Sequence, residues 1–592
     1  MLSHLPCFGL QRTKNAACLS DLLFNLPDDL SKRDMLKCRQ ENGAWQSWTL
    51  EKVKISVLRL VAWLQSTGVS KGDRVGILGH NCVPWLLADM AILHLGAVAV
   101  PAYFTDTAEK VQYVFHDAQC SLIFFESSQK EKLVQGEVPI LPFDGQHSLM
   151  SVISDIIWDG CLDMPTPQRE DLATLIYTSG TMGKPKGVML THGNILADVW
   201  SGLTAVPVFQ DDVFLSFLPL SHAFERTVGH FLPIACGAQL AYAEDVTTLM
   251  RDMFEIKPTV MISVPRLYEK IYTGVQATLE TSWLKRFVFQ QAQYLGLKRF
   301  YLHQQGKDLS VMQAWLWQHL DVLVHAPLRA KLGGHLRLFI SGGAALSPRI
   351  ANFLLAADIL VLPGYGLSET SPVLSVNVAA KVKPASVGPA LSGVSCQLAV
   401  DGELVVKGDM VMQGYWQHPE WNQGVLDDDG WLHTGDIARI DDDGYIFIVD
   451  RKKELMVLSN GENVPPALVE QHLCHLPCVE QAMVIGEGQA HLVALLVVDE
   501  RCLQRLWKRH HRGHLPLNWQ KHARVHAWFL KRVKKELSDL ASYMQVRHVG
   551  FVHEAWSQKN DCLTPTLKLK RRVIQDKYTR VIQELLSADS SN

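Results

Sequence analysis

The chain has 592 residues, of which 47% are hydrophobic and 20% charged, so it is a folded protein too long for one core, with about two to four domains. Its formal net charge of -3 argues against a dedicated nucleic-acid-binding protein, because such proteins are usually basic. The twelve cysteines include no CxxC pair, which favours free thiols in a reducing compartment. No apolar run reaches the roughly 18 residues of a transmembrane helix. We therefore expect a cytoplasmic protein.

The first part of the chain alternates between segments of helical periodicity and short apolar runs. Alternation of helices and strands at this spacing predicts the α/β class, with a doubly wound, mostly parallel sheet. The predicted elements are helices at about 48–70, 83–95 and 108–117 and strands at 74–78, 97–103, 121–125, 172–176 and 188–190.

A loop at 177–187 joins the last two of these strands. It is dense in Gly, Ser and Thr and carries Lys184 and Lys186. Glycines let a backbone approach a ligand closely, and free N–H groups with hydroxyls and ammonium groups bind anions. The loop is not a Walker A motif, because Thr178 replaces its first glycine and Pro185 follows the lysine. It therefore predicts a phosphate-binding loop of another kind, with an ordinary surface turn as the alternative.

The rest of the chain contains two regions with a different predicted structure. A long helical region from about 267 to 332 is expected to form an insertion or to cover a binding cleft, with most of its apolar residues in the core. Beyond residue 397, short β segments are separated by Asp-Gly and Gly-Asp turns. A basic segment at 450–453, after the last hairpin, predicts a domain boundary. It divides the chain into a large domain, 1–450, and a small α+β domain, 451–592.

Four further motifs combine residue types that bind nucleotides. An aromatic ring, a carboxylate and a hydroxyl in close sequence can stack on a base, hold a hard cation and contact a phosphate. Each motif alone could also be a tight turn or a solvated basic segment. They are SGGAA at 341–345, GYGLSET at 364–370, WLHTGD at 431–436 and TPTLKLKRR at 564–572.

Taken together, YTSGTMGKPKGVMLTH, YGLSET, WLHTGD, DRKKE and TPTLKLKRR resemble the AMP-forming adenylating superfamily of acyl-CoA synthetases, luciferases and peptide-synthetase adenylation domains. LPLSHAFER at 218–226 and SVPRLYEK at 263–270 are similar to its long-chain fatty acyl-CoA synthetase branch. The resemblance implies a large N-terminal domain with doubly wound, mostly parallel sheets and a β-rich subdomain, followed by a small mobile α+β C-terminal domain. It also implies a fatty acid–CoA ligase that uses ATP, a fatty acid and coenzyme A, with Mg²⁺ as cofactor and an acyl-adenylate intermediate.

The resemblance also implies roles for individual residues. His222 would lie at the acyl carboxylate, Thr370 at the α-phosphate and Glu369 at Mg²⁺. The residues implied in ATP and AMP binding are Thr178, Ser179, Gly180, Thr181 and Lys184 at the phosphates, Gly343, Ala344, Tyr365 and Gly366 at the adenine, and Asp436 and Arg451 at the ribose.

In the C-terminal domain the resemblance implies a catalytic lysine, a hinge and a coenzyme A side. Lys568 would be the catalytic adenylation lysine, with Lys570 as the alternative register. Lys453 would be the hinge about which the small domain rotates between the two half-reactions. The residues implied on the coenzyme A side are Ser459, Asn460, Gly461 and Glu462.

Several alternatives remain open at this point. An acyl-AMP ligase that loads a carrier protein and a non-catalytic nucleotide- or lipid-binding relative share most of these motifs. The basic runs 505–512 and 531–535 suit peripheral contact with anionic lipid, but also a solvated face. Residues 472–478 have metal-ligand types, although Pro477 interrupts them and an ordinary helix end is favoured over zinc. Chain length of the substrate and oligomeric state are left open.

Overall fold

The computed structural model describes residues 7–40, 42–134, 136, 138–156, 166–178, 184–279, 282–511, 514–557, 559–563 and 569–587. The chain forms two compact units. The first comprises Met1–Gln397, Val405–Thr434 and Ile440–Phe447, and the second comprises Leu398–Leu404, Gly435–Arg439 and Ile448–Asn592. Within the described ranges, no helix combines the length and the apolar character needed to cross a membrane.

Several helices begin at a side chain that caps the first turn. Thr49, Ser148 and Thr191 each accept a hydrogen bond from the backbone N–H three residues further on, which satisfies an otherwise unpaired donor. The helices of the first unit are α1 (Cys7–Asn15), α2 (Asp21–Phe24), α3 (Leu50–Ser66), α4 (Val83–Leu95), α5 (Ala108–Asp117), α6 (Leu149–Asp155), α7 (His192–Ala205), α8 (Ala223–Arg226), α9 (Leu232–Cys236), α10 (Leu249–Ile256), α11 (Pro265–Leu279), α12 (Trp283–Gln304), α13 (Val311–Leu320), α14 (Ala326–Lys331) and α15 (Pro348–Ala356). Those of the second unit are α16 (Pro466–Cys474), α17 (Glu500–His511), α18 (Ala523–Glu536), α19 (Arg571–Lys577) and α20 (Thr579–Ser587).

The strands gather mainly into two large sheets in the first unit and one small sheet in the second. The strands are β1 (Asp34–Arg39), β2 (Trp45–Thr49), β3 (Arg74–Leu78), β4 (Val98–Ala102), β5 (Leu122–Phe125), β6 (Ile140–Pro142), β7 (Leu172–Thr178), β8 (Lys186–Thr191), β9 (Val213–Ser216), β10 (Gln239–Tyr242), β11 (Val260–Ser263), β12 (Leu338–Ser341), β13 (Leu360–Gly366), β14 (Val373–Val376), β15 (Ser395–Leu398), β16 (Glu403–Lys407), β17 (Gly414–Tyr415), β18 (Leu432–Ile440), β19 (Ile446–Arg451), β20 (Met456–Val457), β21 (Asn463–Val464), β22 (Val479–Ile485), β23 (Leu492–Val498) and β24 (Val546–Val552).

The two large sheets are mostly parallel. The eight-stranded sheet has the order β14-β13-β12-β11-β9-β10-β1-β2, parallel from β13 to β1 and antiparallel at its two edges. The seven-stranded sheet has the order β17-β8-β7-β4-β3-β5-β6, in which β8 runs opposite to the other strands and pairs antiparallel with both β7 and β17. A four-stranded sheet, β15-β16-β18-β19, forms the β-rich part. The predicted α/β class is confirmed.

Helix α4 illustrates why these residues form these elements. It is apolar on nearly every side, with Pro84 in its first turn, and it ends at Gly96, which has the left-handed φ of 77° that glycine adopts readily. All of its side chains except those of Pro84 and His94 are buried. A helix without a polar face is stable only when it is surrounded by protein, and α4 is such a helix.

The second unit has its own core on both faces of a three-stranded sheet. Strand β23 pairs antiparallel with β22 and parallel with β24. Alternate residues of β23 point to opposite faces, with Ala494 in one apolar cluster and Leu495 in another. The first cluster includes side chains of α16, α17 and α18, and the second includes Ile574 of α19 and Ile582 of α20. The predicted division of the chain at residue 450 stays a prediction.

The long region predicted to be helical is helical, but the prediction that most of its apolar side chains are buried is wrong for ten large ones. A helical pattern shows which residues share a face but not whether another element covers that face. The exposed side chains are Trp283, Leu284, Phe287, Tyr294, Val311, Met312, Trp315, Leu316, Val322 and Leu323.

The prediction of free thiols is also wrong for one pair. Cys478 and Cys502 form a disulfide, with Cα atoms 5.4 Å apart. The turn after α16 lies beside the start of α17, where the N–H of Asp499 donates to the carbonyl of Cys478. This tertiary contact joins two cysteines that are 24 residues apart in sequence. Eight described cysteines are free thiols, among them Cys474.

Candidate active site

Several predicted site residues follow the carboxyl ends of neighbouring parallel strands. Ser263 of β11 lies opposite Ser341 of β12, which in turn lies opposite Pro363 of β13. Just beyond these ends come Gly343 and Ala344 after β12 and Tyr365 and Gly366 at the end of β13, while His222 follows β9 in the same sheet. In open α/β sheets, ligands bind outside the carboxyl ends of the strands. The structure therefore brings the predicted adenine and acyl residues to one edge of one sheet.

Two glycines at this edge allow close approaches that a side chain would block. A Cβ at Gly342 would lie 2.7 Å from the Phe224 ring, so the turn after β12 packs directly against α8. A Cβ at Gly366 would lie only 1.6 Å from the carbonyl oxygen of Pro372. Real Cβ atoms do not approach a backbone so closely, so position 366 requires glycine, whereas a side chain at position 342 would have to displace the Phe224 ring.

The loop that carries His222 is held by Asn81, which follows β3 of the other large sheet. The Asn81 side-chain amide donates to the carbonyl of Leu218 at 2.6 Å and to the Ser216 hydroxyl at 3.0 Å. Its carbonyl oxygen accepts from the N–H of Leu220 at 3.0 Å. Three hydrogen bonds from one side chain thus fix the backbone that leads from β9 to His222.

His222 itself caps the first turn of α8. Its Nδ1 accepts a hydrogen bond from the N–H of Phe224 at 3.2 Å. A neutral His222 with an accepting Nδ1 carries its proton on Nε2. The side chain is partly exposed, and this hydrogen bond orients the imidazole ring.

Behind His222, α8 and the π-helix that follows it, Thr227–Phe231, carry a group of fully buried polar side chains. Arg226 donates from Nε to Asp89 at 3.1 Å and from a terminal nitrogen to the Thr174 hydroxyl at 2.7 Å, which links α8 to α4 and β7. Burial raises the pKa of the Glu225 carboxyl to about 8, against a smaller opposing effect of the Ser216 hydroxyl. Burial lowers the pKa of His230 to about 3. At neutral pH, Glu225 is therefore protonated, and His230 is neutral beside the Arg226–Asp89 ion pair.

The predicted phosphate loop is the connection between two antiparallel neighbours, β7 and β8. Thr178 at the end of β7 lies opposite Lys186 at the start of β8, so the two ends of the loop are adjacent. The Lys184 ammonium lies 5.7 Å from the centre of the Tyr113 ring. The predicted residues Ser179, Gly180 and Thr181 lie outside the described residues.

Glu369 is joined to the outgoing strand of this loop through Tyr415. Tyr415 lies in β17 opposite Val188 of β8, and its hydroxyl donates to Oε1 of Glu369 at 2.9 Å. The Lys186 ammonium lies 4.6 Å from the centre of the Tyr415 ring. The structure therefore brings the predicted metal ligand next to the start of β8.

Thr370 has a different environment. It is fully buried, and its hydroxyl donates within the turn, where the carbonyls of Leu367 and Pro372 both lie at 3.0 Å. The same oxygen accepts from the N–H of Leu367 at 3.1 Å. Contact of this hydroxyl with a phosphate would require the turn to open, and its role at the α-phosphate stays a prediction.

In the second unit, the two predicted ribose residues lie side by side. Asp436 of β18 is 3% exposed, and Nε of Arg451 in β19 lies 3.3 Å from its Oδ1. The predicted hinge residue, Lys453, is exposed between β19 and β20. The four predicted coenzyme A residues, 459–462, form an exposed turn between β20 and β21 that is closed by hydrogen bonds between Leu458 and Glu462 and between Leu458 and Gly461.

Lys568 lies outside the described residues, but both ends of its segment are described. Leu563 and Leu569 form an isolated antiparallel bridge, so the two described residues that flank this segment are adjacent. Lys570 forms an ion pair with Asp561. Arg571 starts α19 and binds Glu470 of α16 through two parallel contacts of 2.6 and 2.7 Å.

The residues weighed as a zinc site do not assemble as the sequence pattern suggested. Cys478 is bonded to Cys502 and cannot act as a thiolate ligand. One donor atom each of His472, His475 and Glu536 lie within 4.8 Å of one another. The Nδ1 of His475 lies 3.2 Å from Oε1 of Glu536, so a histidine–glutamate pair accounts for this cluster.

Two family descriptions match this chain over most of its length. The description "AMP-binding enzyme" matches residues 30–416, and "AMP-binding enzyme C-terminal domain" matches residues 453–516. The chain belongs to the AMP-binding enzyme family. The predicted family resemblance is thereby confirmed.

Individual relatives of this AMP-binding enzyme cover nearly the whole chain. It is 30% identical over 574 residues to the long-chain-fatty-acid–CoA ligase FadD15 of Mycobacterium bovis, a match that covers 93% of this chain and 94% of the relative. It is 32% identical over 570 residues to the peroxisomal long chain acyl-CoA synthetase 7 of Arabidopsis thaliana, a match that covers 88% of this chain and 78% of the relative. The solved adenylation domain of the carboxylate reductase from Mycobacterium chelonae superposes with a TM-score of 0.77 at 21% identity, and the match covers 98% of this chain and 93% of that domain. This similarity supports the fold.

Glu369 of this AMP-binding enzyme has the chemistry of a magnesium ligand. It is a partly exposed carboxylate whose Oε1 is held by Tyr415, and its Oε2 accepts no hydrogen bond within the described part of the chain. Mg²⁺ prefers carboxylate oxygen and keeps several waters, so this residue fits the ion.

Sequence reasoning did not identify two residues that position the site. Asn81 lies three residues after the end of a buried strand, and Tyr415 lies in a Gly-Tyr-Trp run after a short β segment. A polar side chain at the carboxyl end of a predicted parallel strand is a signal that could have pointed to Asn81. No such signal marks Tyr415, because its partners, Lys186 and Glu369, are distant in sequence.

Proposed function

We propose that the protein is a long-chain fatty acid–CoA ligase that forms AMP. In the first half-reaction, a carboxylate oxygen of the fatty acid attacks the α-phosphorus of ATP, and pyrophosphate leaves. In the second, the sulfur of coenzyme A attacks the acyl carbon, AMP leaves, and the thiol proton passes to solvent. The observation that carries this proposal is the convergence of His222, Gly343, Ala344 and Tyr365 at one sheet edge, in a chain whose match covers 94% and 78% of two relatives named as long-chain ligases.

The residues at this edge have groups suited to the first half-reaction. His222 would donate from Nε2 to the acyl carboxylate, and Asn81 would keep the His222 loop in place. Tyr365 would stack on the adenine in the space that small residues leave after β12. Adenylation needs alignment and charge stabilisation more than covalent help from the protein, so side chains fixed in this way supply much of what the reaction requires.

The phosphates carry the charge that must be offset. Thr178, Lys184 and the intervening loop residues would hold the β- and γ-phosphates. Glu369 would hold Mg²⁺, which supplies positive charge at the phosphate oxygens when it is bound. Asp436 and Arg451 would bind the ribose.

Lys568 is our candidate for the catalytic lysine. Lys570 is paired with Asp561, which favours Lys568 as the lysine available to a ligand. In this proposal the small domain, 451–592, moves about Lys453 between half-reactions, and the turn at 459–462 lies on the coenzyme A side. The printed functions of the relatives favour coenzyme A over a carrier protein as the acyl acceptor.

The proposal is tested by separating the two half-reactions in Lys568→Ala. We expect pyrophosphate release from ATP and fatty acid to fall by at least about a thousandfold, because the lysine would stabilise transition-state charge. Thioester formation from supplied acyl-AMP should stay within about threefold of wild type. Lys570→Ala is the matched control. If Lys570→Ala blocks adenylation while Lys568→Ala does not, the register is wrong, and if neither does, the catalytic role fails.

Substrate range is tested by AMP release with fatty acids from short to very long, with and without coenzyme A. The proposal expects the highest kcat/KM with long chains and AMP release that depends on coenzyme A. Activity confined to short or aromatic acids would contradict the long-chain assignment. Because a long-chain acid partitions into lipid, we also propose that the enzyme works in the cytoplasm in peripheral contact with a membrane.

A further inference from the structure

Exposed apolar side chains are concentrated in one part of the first unit. Among the described residues, nineteen large apolar side chains are exposed, and ten of them lie between residues 283 and 323. Soluble proteins scatter such side chains singly, whereas a contiguous group marks a contact with another molecule or a membrane. We call the following ten side chains the insertion surface: Trp283, Leu284, Phe287, Tyr294, Val311, Met312, Trp315, Leu316, Val322 and Leu323.

The helices that carry this surface form one packed body. Helices α12 and α13 run antiparallel, with the Lys298 ammonium donating to the Gln313 side chain at 3.2 Å and the Arg299 guanidinium 4.2 Å from the Trp317 ring centre. Leu320 packs in their seam, together with Leu295. The α13 residues at 313, 317 and 320 therefore face α12, and those at 311, 312, 315 and 316 are left outside.

The following short π-helix, Asp321–His325, extends the same body. Val324 packs against the seam cluster together with Val288 of α12. The neighbours of these two residues in sequence, Leu323 and Phe287, are 69% and 53% exposed. The exposed residues of α12, α13 and the π-helix therefore belong to one small body with a buried seam, and its outer side carries the ten apolar side chains together with polar ones such as Lys285 and Gln290.

The charge of this body differs from that of the chain. Residues 283–323, which carry the insertion surface, contain five Lys or Arg residues and two Asp residues, whereas the whole chain has a net charge of -3. Two of these cations, Lys285 and Arg286, are exposed directly beside Trp283 and Leu284. Tryptophan and leucine flanked by cations are typical of helices that lie in the interface of an anionic bilayer.

We propose that the insertion surface docks on an anionic lipid bilayer. The inference rests on the proposed function, because a lipid-soluble substrate gives the contact its purpose. Apolar side chains would enter the boundary between headgroups and acyl chains, and the flanking cations would meet anionic headgroups. A second copy of this chain fits less well, because a self-interface would bring two surfaces of the same positive charge together.

The test is binding of the full-length protein to vesicles of phosphatidylcholine, with and without phosphatidylglycerol, measured by co-sedimentation. We expect binding that requires phosphatidylglycerol and weakens with salt. Lys285→Gln with Arg286→Gln should reduce the partition coefficient roughly 25-fold, because each cation near an anionic surface contributes about fivefold. Met312→Glu with Trp315→Glu should reduce it by more than about tenfold.

Two double variants serve as matched controls. Val246→Glu with Phe254→Glu changes two equally exposed apolar residues elsewhere in the first unit, and it should bind vesicles as wild type does. Lys534→Gln with Lys535→Gln removes two of the four cations in the basic run 531–535 of α18, and it should also bind vesicles as wild type does. If the second control loses binding while the insertion-surface variants keep it, the contact lies on α18 and the inference is overturned.

Sedimentation velocity and a vesicle-free assay separate the remaining outcomes. A wild-type dimer that Met312→Glu with Trp315→Glu dissociates, without vesicle binding, would identify a self-interface and overturn the inference. Acyl-CoA synthesis from fatty acid in solution tests the function alone. A protein that is active but does not bind vesicles overturns the membrane inference, and one that binds vesicles but makes no acyl-CoA overturns the proposed function.

Discussion

Glu225 makes the stability of the first unit depend on pH in a way that can be worked out. It lies three residues after His222 in α8, and burial raises the pKa of its carboxyl from 4.5 to about 8. Between these values the folded protein holds a proton that the unfolded chain releases. Stability is therefore greatest below the unfolded pKa and falls as pH rises toward the folded pKa. Glu225→Gln keeps the shape of the side chain and removes the titration, so the variant should lose this dependence.

The size of the effect follows from the two pKa values. At about 1.36 kcal/mol for each pKa unit, wild type should lose about 3 kcal/mol relative to the variant between about pH 5.5 and pH 9. With an unfolding entropy on the order of 1 kcal/mol/K for a unit of this size, the melting temperatures should diverge by ~3 °C. Differential scanning calorimetry of both proteins at the two pH values measures this, and Glu170→Gln at an exposed position is the control. Parallel pH profiles for wild type and Glu225→Gln would refute a buried, protonated Glu225.

Three further substitutions test the parts that position the site. Asn81→Ala removes three hydrogen bonds from the His222 loop and should lower kcat for pyrophosphate release about 100-fold with little change in the KM for ATP. An unchanged kcat would show that the loop keeps its conformation without Asn81. Arg571→Lys replaces a two-point contact with Glu470 by a single charge, so it should destabilise the second unit by about 2 kcal/mol in urea unfolding. It should also slow adenylation, while the rate of thioester formation from supplied acyl-AMP should not change. Gly366→Ala places a Cβ 1.6 Å from a backbone oxygen and should lower the free energy of unfolding by about 3 kcal/mol. It should also abolish nucleotide binding measured by calorimetry, and binding as tight as that of wild type would contradict the close approach.

The features that sequence reasoning predicted well are those with local causes. Helix α4 has the predicted bounds because a continuous apolar run, a proline in its first turn and a glycine at its end all act within one segment. The strands around the phosphate loop are likewise set by two short apolar runs. The order of the motifs was sufficient to identify the family, since each motif can be read without knowing the rest of the fold.

The features that it missed depend on residues distant in sequence. Asn81 bonds to residues 135, 137 and 139 positions away, and nothing near it in the sequence indicates those partners. The exposure of Trp315 in α13 and Val322 in the π-helix has the same origin, because periodicity cannot show whether another element covers a side chain. The disulfide between Cys478 and Cys502 likewise depends on how α16 and α17 pack.

Tyr415 keeps two opposite charges apart within a small volume. The Lys186 ammonium lies 4.6 Å from its ring centre, and its hydroxyl donates to Glu369 at 2.9 Å. Within the described part of the chain, Lys186 and Glu369 form no ion pair with each other. Had they done so, each charge would be neutralised before a ligand arrived, and binding would have to break the pair. Because a neutral aromatic ring lies between them, the cation and the anion do not neutralise each other before a ligand binds. This is a form of electrostatic preorganisation.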